Sequence, residues 1–112
     1  MQIDDEMKSI IDNVLSSALS GISSQWINMV VVKGGNPIEN TIAETLIKKQ
    51  QVEFQVIEES RKYGLTLENL MDAIKNYGIE HDMCRNCLND NIDDEMGDVI
   101  LQEALFGEYR YA

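Results

Sequence analysis

Between Val56 and Phe106, apolar side chains recur three and four positions apart, and short breaks cut this pattern into helix-length pieces. Leu67, Leu70, Met71, Ile74 and Tyr77 make one such stripe, with Thr66 placed to cap it and Gly78 to close it. Leu65 and Leu70 have the spacing of a hydrophobic staple across that cap. Met83, Cys84, Cys87 and Leu88 give a short apolar face, and Asn89-Asp90-Asn91 breaks the chain again. Asp93, Asp94 and Glu95 then open a last helix whose inner side is Ile92, Met96, Val99, Ile100 and Ala104.

Ile3, Met7, Ile10, Ile11, Val14, Leu15, Ala18, Leu19 and Ile22 predict an amphipathic helix of about five turns. Ser23–Lys33 is ambiguous: Trp26, Ile27 and Met29–Val32 suit a buried strand or the end of a bent helix. Without a second convincing strand to pair with, the segment is assigned to helix or irregular packing. Gly34-Gly35-Asn36-Pro37 is a break, with Asn36 as cap, Pro37 in the first turn and Glu39 at the capping-box position. Ile38, Ile42, Leu46, Val52, Val56 and Ile57 carry a predicted helix on to Tyr63, ended by a left-handed Gly64. The expectation is one all-α domain, a bundle of about five helices. Residues 1–35 supply a helix and an apolar segment, 36–106 the main helical region, and 107–112 an exposed tail bearing Tyr109 and Tyr111.

Charge narrows the function. The net charge is −11, and residues 57–112 carry −8 of it, with 13 acidic and 5 basic side chains. Phosphate backbones and anionic lipids repel such a surface, so direct nucleic-acid or membrane binding is not expected, whereas a basic protein surface suits it. The acidic start and spaced apolar residues of the first helix do not read as a secretory signal, and no run approaches the roughly 18 apolar residues of a membrane span. The two cysteines make no disulfide framework, which fits a reducing cytoplasm.

No constellation resembles an active site. His81, Cys84 and Cys87 stand three apart in turn, the right chemistry for zinc, but a structural zinc site needs a fourth ligand, usually from a second separated pair. The cysteines are instead expected as small buried hydrophobes. A low-pKa redox pair is disfavoured, since Glu80, Asp82 and Asp90 outweigh Arg85 around them. Asp90, Asp93, Asp94, Glu95 and Asp98 read as a solvated acidic surface, not as a carboxyl pair with divergent pKa values in a pocket. Gly34-Gly35 lacks the Lys-Ser/Thr of a phosphate loop. The chain is therefore expected to be a non-enzyme without cofactors.

Two patterns carry a resemblance. Gln102, Leu105 and Phe106 resemble the short peptide that bacterial sliding-clamp binders insert into an apolar pocket; the structural alternative is the last turn of a helix with Phe106 in the core. Residues 56–106, through Tyr63-Gly64-Leu65-Thr66, Met71-Asp72-Ala73-Ile74, Tyr77-Gly78-Ile79-Glu80, Cys87-Leu88, Val99-Ile100 and Glu103-Ala104, resemble the late-promoter transcription coactivators of T-even-type bacteriophages. Residues 1–40 lie outside the resemblance, and the family's Leu-rich clamp-binding peptide has no copy here. The resemblance implies a coactivator that binds the host RNA polymerase β subunit and links it to the sliding clamp. It makes Leu65, Leu70, Ile74, Ile79 and Leu88 the polymerase-facing residues; the alternative is that all five are core. Two rival readings stand beside it: an acidic protein that imitates DNA toward a nucleic-acid-binding or defence enzyme, and a self-associating module that pairs its Ile3–Ile22 stripe with a copy of itself.

Overall fold

A computed structural model describes residues 3–32, 42–47, 52–59 and 61–111. Helix α1 (Asp5–Ser20) begins where Asp4 accepts the Met7 N–H at 2.8 Å, and a 3-10 turn (Ile22–Gln25) follows it. Strand β1 (Ile27–Val32), a short α2 (Ile42–Ile47), β2 (Val52–Val56) and β3 (Lys62–Leu65) come next. Helices α3 (Leu67–Glu80), α4 (Arg85–Asp90) and α5 (Asp94–Phe106) complete the order. The all-α expectation is thus corrected. Five helices are present among the described residues, but they share the domain with a three-stranded antiparallel sheet in the order β1-β2-β3.

The reason lies in a period of two. Val52, Phe54 and Val56 are buried while Glu53 and Gln55 are half-buried, the alternation of a strand with one face on a core. Val52 and Val56 are also four apart, which fits a helix equally well; Phe54 between them decides for the strand. With β2 in the centre, the apolar run Ile27–Val32 gains the partner it lacked, in a register that sets Val30 against Phe54 and Ile27 against Val56, with a bulge between Ile27 and Met29. On the other side Val52 pairs with Leu65, and Gly64 is an ordinary strand residue paired with Glu53. The helix expected to reach Tyr63 therefore shrinks to Ile42–Ile47, and the cap assigned to Asn36, Pro37 and Glu39 lies outside the described residues.

The cap predicted at Thr66 holds, and Asp93, expected to open the last helix, caps it. Thr66 accepts the Asn69 N–H at 3.1 Å, and Asp93 accepts that of Met96 at 2.8 Å. Gly78 does not end α3; it is buried within the helix, which runs on to Glu80. A left-handed glycine does close α5, at Gly107 with φ 74°.

One core joins the layers. Helix α1, with its buried stripe (Ile10, Ile11, Val14, Leu15, Ala18), packs chiefly against α5, and Ile100, Leu101 and Ala104 of α5 and Val52, Phe54 and Val56 of β2 belong to the same core. The stripe proposed for self-pairing is thus consumed within the molecule. The α1–α5 approach is close because of Gly97: a Cβ there would stand 2.9 Å from the Val14 carbonyl oxygen and 3.0 Å from the Ala18 nitrogen. Among the described residues, no helix is long and apolar enough to cross a membrane.

Candidate functional site

The residues singled out in the sequence scatter. Leu65, Leu70, Ile74 and Leu88 are buried in the core, and only Ile79 of that set is exposed, at 68%. It lies with Met83 and Cys84 around a shallow apolar depression that Lys75 and Asp82 border. Asp90, Asp93, Asp94 and Glu95 are on the surface as expected, but Asp98 is fully buried. Its Oδ1 accepts from the Ser23 hydroxyl and the Trp26 indole N–H, each at 2.7 Å, and its Oδ2 accepts from the Gln102 amide at 2.9 Å.

Gln102 is equally committed. Fully buried, it donates to the Tyr111 carbonyl at 2.9 Å while its own carbonyl accepts the backbone N–H groups of Arg110 and Tyr111. The tail is exposed at residues 107–110, as expected, while these bonds draw its backbone at Arg110 and Tyr111 back to α5 and leave Tyr111 half-buried. Tyr111 stacks on Trp26, and Phe106 lies edge-on to Tyr63 and Tyr111, so Leu105 and Phe106 are half-buried. Glu59 fastens the arrangement, accepting from Tyr111 at 2.6 Å and Tyr63 at 2.8 Å with Arg110 beside it at 3.5 Å. The two phenols hold the Glu59 carboxyl below its ordinary value, and the same contact pushes Tyr111 up to about 12.

The imidazole and the thiols also part company. His81 stacks on Tyr77 and its Nδ1 meets the Tyr77 carbonyl oxygen at 2.9 Å. Cys84 and Cys87 are exposed, which corrects their placement in the core. Among the described side chains of α4, only Leu88 is buried, because six residues of helix have room for little more than one inward side chain. Among the described residues, no three His, Cys, Asp or Glu side chains are grouped to hold a metal.

What the structure does assemble is a groove of about 440 Å³ between α3 and α5. Asn69, Asp72, Asn76 and Glu80 form its α3 wall, at the three- and four-residue steps that share one helix face. Glu103 faces them from α5, and Ala73 and Ala104 keep the space between the helices open. Among the described residues, three carboxyl groups and two amides line it, and no lysine or arginine does. Burial raises the Glu103 pKa, and the Glu80 charge raises it further. Nearby Tyr77 is also raised, by burial first and then by Asp93, Glu95 and Glu103. Both shifts come first from burial and then from neighbouring carboxylates, with His81 opposing that of Glu103. The Asn-Asp-Asn-Glu row was visible in the sequence as a polar helix face; its opposition to Glu103 needed the helix packing.

Set against protein-family models, curated proteins and solved structures, the chain matches none.

Proposed function

We propose that this chain is a non-catalytic, acidic protein-binding domain whose α3–α5 groove receives a basic side chain of its partner. The observation that carries this reading is Glu103: a partly buried carboxyl facing Glu80, with no lysine or arginine among the described residues that line the groove, and with His81 outside the lining offsetting its shift only in part. An arginine entering there gains two carboxyl acceptors and the Asn69 and Asn76 amide oxygens, a set suited to a planar guanidinium. The groove offers no hydroxyl, thiol or imidazole among its lining side chains to act as a nucleophile, so its chemistry is recognition.

The reading rests on this groove and not on the coactivator resemblance. That resemblance begins with a helix ending at a glycine, and Gly64 lies in β3; of its five polymerase-facing positions only Ile79 reaches the surface. RNA polymerase and the sliding clamp are therefore two named possibilities among basic-surfaced partners. The DNA-imitating reading draws on a different surface, the exposed Asp90, Asp93, Asp94 and Glu95.

The test is capture from a bacterial lysate on the immobilised chain at about 0.15 M and about 0.3 M salt, where exposed charges beyond roughly 8 Å are screened. A protein retained by the parent chain and lost to the Glu80→Gln/Glu103→Gln variant supports the groove. The same protein lost instead to Asp93→Asn/Asp94→Asn, and displaced by duplex DNA, moves the activity to the imitation surface. Retention indifferent to the groove substitutions refutes the proposal.

A further inference from the structure

Cys84 and Cys87 are not joined, yet the fold presents them as a pair. Cys84 is the N-cap of α4, and its sulfur accepts the Cys87 backbone N–H at 3.3 Å. A cap side chain that reaches the N–H of the third helical residue lies beside that residue's own side chain, which can turn back toward it. The Cys87 side chain does so, and the two sulfurs meet at 2.7 Å. Both residues are exposed, so a small reagent can reach them. His81 is turned to Tyr77, and among the described residues no group of three His, Cys, Asp or Glu side chains includes the sulfurs.

We infer that Cys84 and Cys87 form a thiol–disulfide exchange site that a low-molecular-weight disulfide closes into an intramolecular bond, with Cys84 attacking first and Cys87 resolving. The Cys84 thiolate attacks one sulfur of the small disulfide, expelling one small thiolate that takes up a proton and leaving a mixed disulfide on Cys84. Cys87 then yields its proton to solvent and attacks the Cys84 sulfur, expelling the second small thiolate, which is protonated in turn. Two protein thiols are oxidised to one disulfide while one small disulfide is reduced to two thiols.

The order follows from the hydrogen bonds. The Cys84 sulfur accepts the Cys87 backbone N–H, a contact that favours its thiolate. The contact with Cys84 and the Cys84 charge, then burial and nearby Asp90, push the Cys87 thiol up. A thioredoxin-type catalyst needs the opposite field, so this is a site to be closed and reopened and not one that turns over. The remainder of α4 holds the site steady: Leu88 is in the core, and Asn89 accepts from Asn13 of α1 at 2.8 Å. Closure therefore fixes the first turn of α4 beside the exposed Ile79 and the half-buried Met83 without disturbing the core.

The experiment incubates the full chain with increasing oxidised glutathione, quenches with an alkylating agent and reads intact mass. The expected product is a monomer lighter by two hydrogen atoms and bearing no alkyl groups. Because the second thiol acts at high effective concentration, it should form at roughly a tenth of the glutathione disulfide needed to modify either single-cysteine variant. Cys87→Ser should accumulate the glutathione adduct faster than Cys84→Ser; both positions are exposed, so neither change threatens the fold. Wild-type chains carrying two glutathiones, or linked into dimers, would overturn the pair. Equal rates for the two variants would overturn the assigned order.

Discussion

Replacing Asp98 by alanine should cost more than any surface change to this protein, and the structure sets the amount. The substitution strands two fully committed donors, the Ser23 hydroxyl and the Trp26 indole N–H, both within residues at most 4% exposed. A buried donor left without an acceptor costs about 1–3 kcal/mol. The Gln102 amide loses one of two acceptors and keeps the Tyr111 carbonyl, so it adds less. The total is about 3–6 kcal/mol, against a net stability of roughly 5–15 kcal/mol for a domain of this size. At roughly 4 °C for each kcal/mol, Tm should fall by roughly 12–24 °C in a thermal melt followed by circular dichroism. Asp98→Asn is the control. It preserves an oxygen for Ser23 and Trp26 but turns an NH₂ toward the Gln102 amide, and should cost about half as much, on the order of 1–3 kcal/mol. In a double-mutant cycle with Trp26→Phe, the two losses should overlap by about 1 kcal/mol or more, since both variants break one contact. A loss below about 1 kcal/mol for Asp98→Ala, or strict additivity in the cycle, would refute the hub.

Three further outcomes follow from other contacts. Gly97→Ala should lower stability by about 1–3 kcal/mol in urea titrations, because the added methyl meets α1 backbone atoms that have no rotamer to change. The tail should stay docked only within a pH window that Trp26 fluorescence can follow, Tyr111 being stacked on it. Tyr111 is raised from 10.0 to about 12, so its contribution is complete below pH 10 and is lost as pH climbs toward 12. Glu59 is lowered from 4.5, so its contribution is complete above that value and disappears on acidification through its lower folded pKa. Undocking at neutral pH would contradict both. Glu103→Gln should raise Tm at pH 7, because a carboxyl whose folded pKa lies above 4.5 opposes folding once ionised. That gain should shrink as pH falls toward 4.5, and a variant less stable than the parent at pH 7 would show that Glu103 is not electrostatically strained.

Helix boundaries were legible wherever a cap residue and a three-four period coincided, as at Thr66 and Asp93. The sheet was not, for a particular reason: Val52, Val56 and Ile57 satisfy helical spacing, and only Phe54 with Glu53 and Gln55 reveals the alternation. Once β2 was read as helix, Ile27–Val32 lost its partner and was misassigned in consequence. The acid row of the groove could be read from α3 alone, whereas Glu103 belongs to it only through helix packing. Asp98 and Gln102 were hidden more deeply. A carboxyl and an amide four apart on a helix ordinarily face solvent, and their burial depends on donors that lie 75 residues away and nine residues ahead.

The contact at Gly97 also dictates the order of events when the chain folds. Helix α1 cannot bury its stripe until α5 arrives, and the Ser23–Asp98 contact beside that interface spans 75 residues. The entropy of closing such a loop must be met before either helix gains its largest contact. The β2–β3 hairpin and the capped α3 need no such closure and can form locally. Folding should therefore start in the middle of the sequence and finish at its two ends, so that a methyl at Gly97 speeds unfolding while leaving the folding rate nearly untouched.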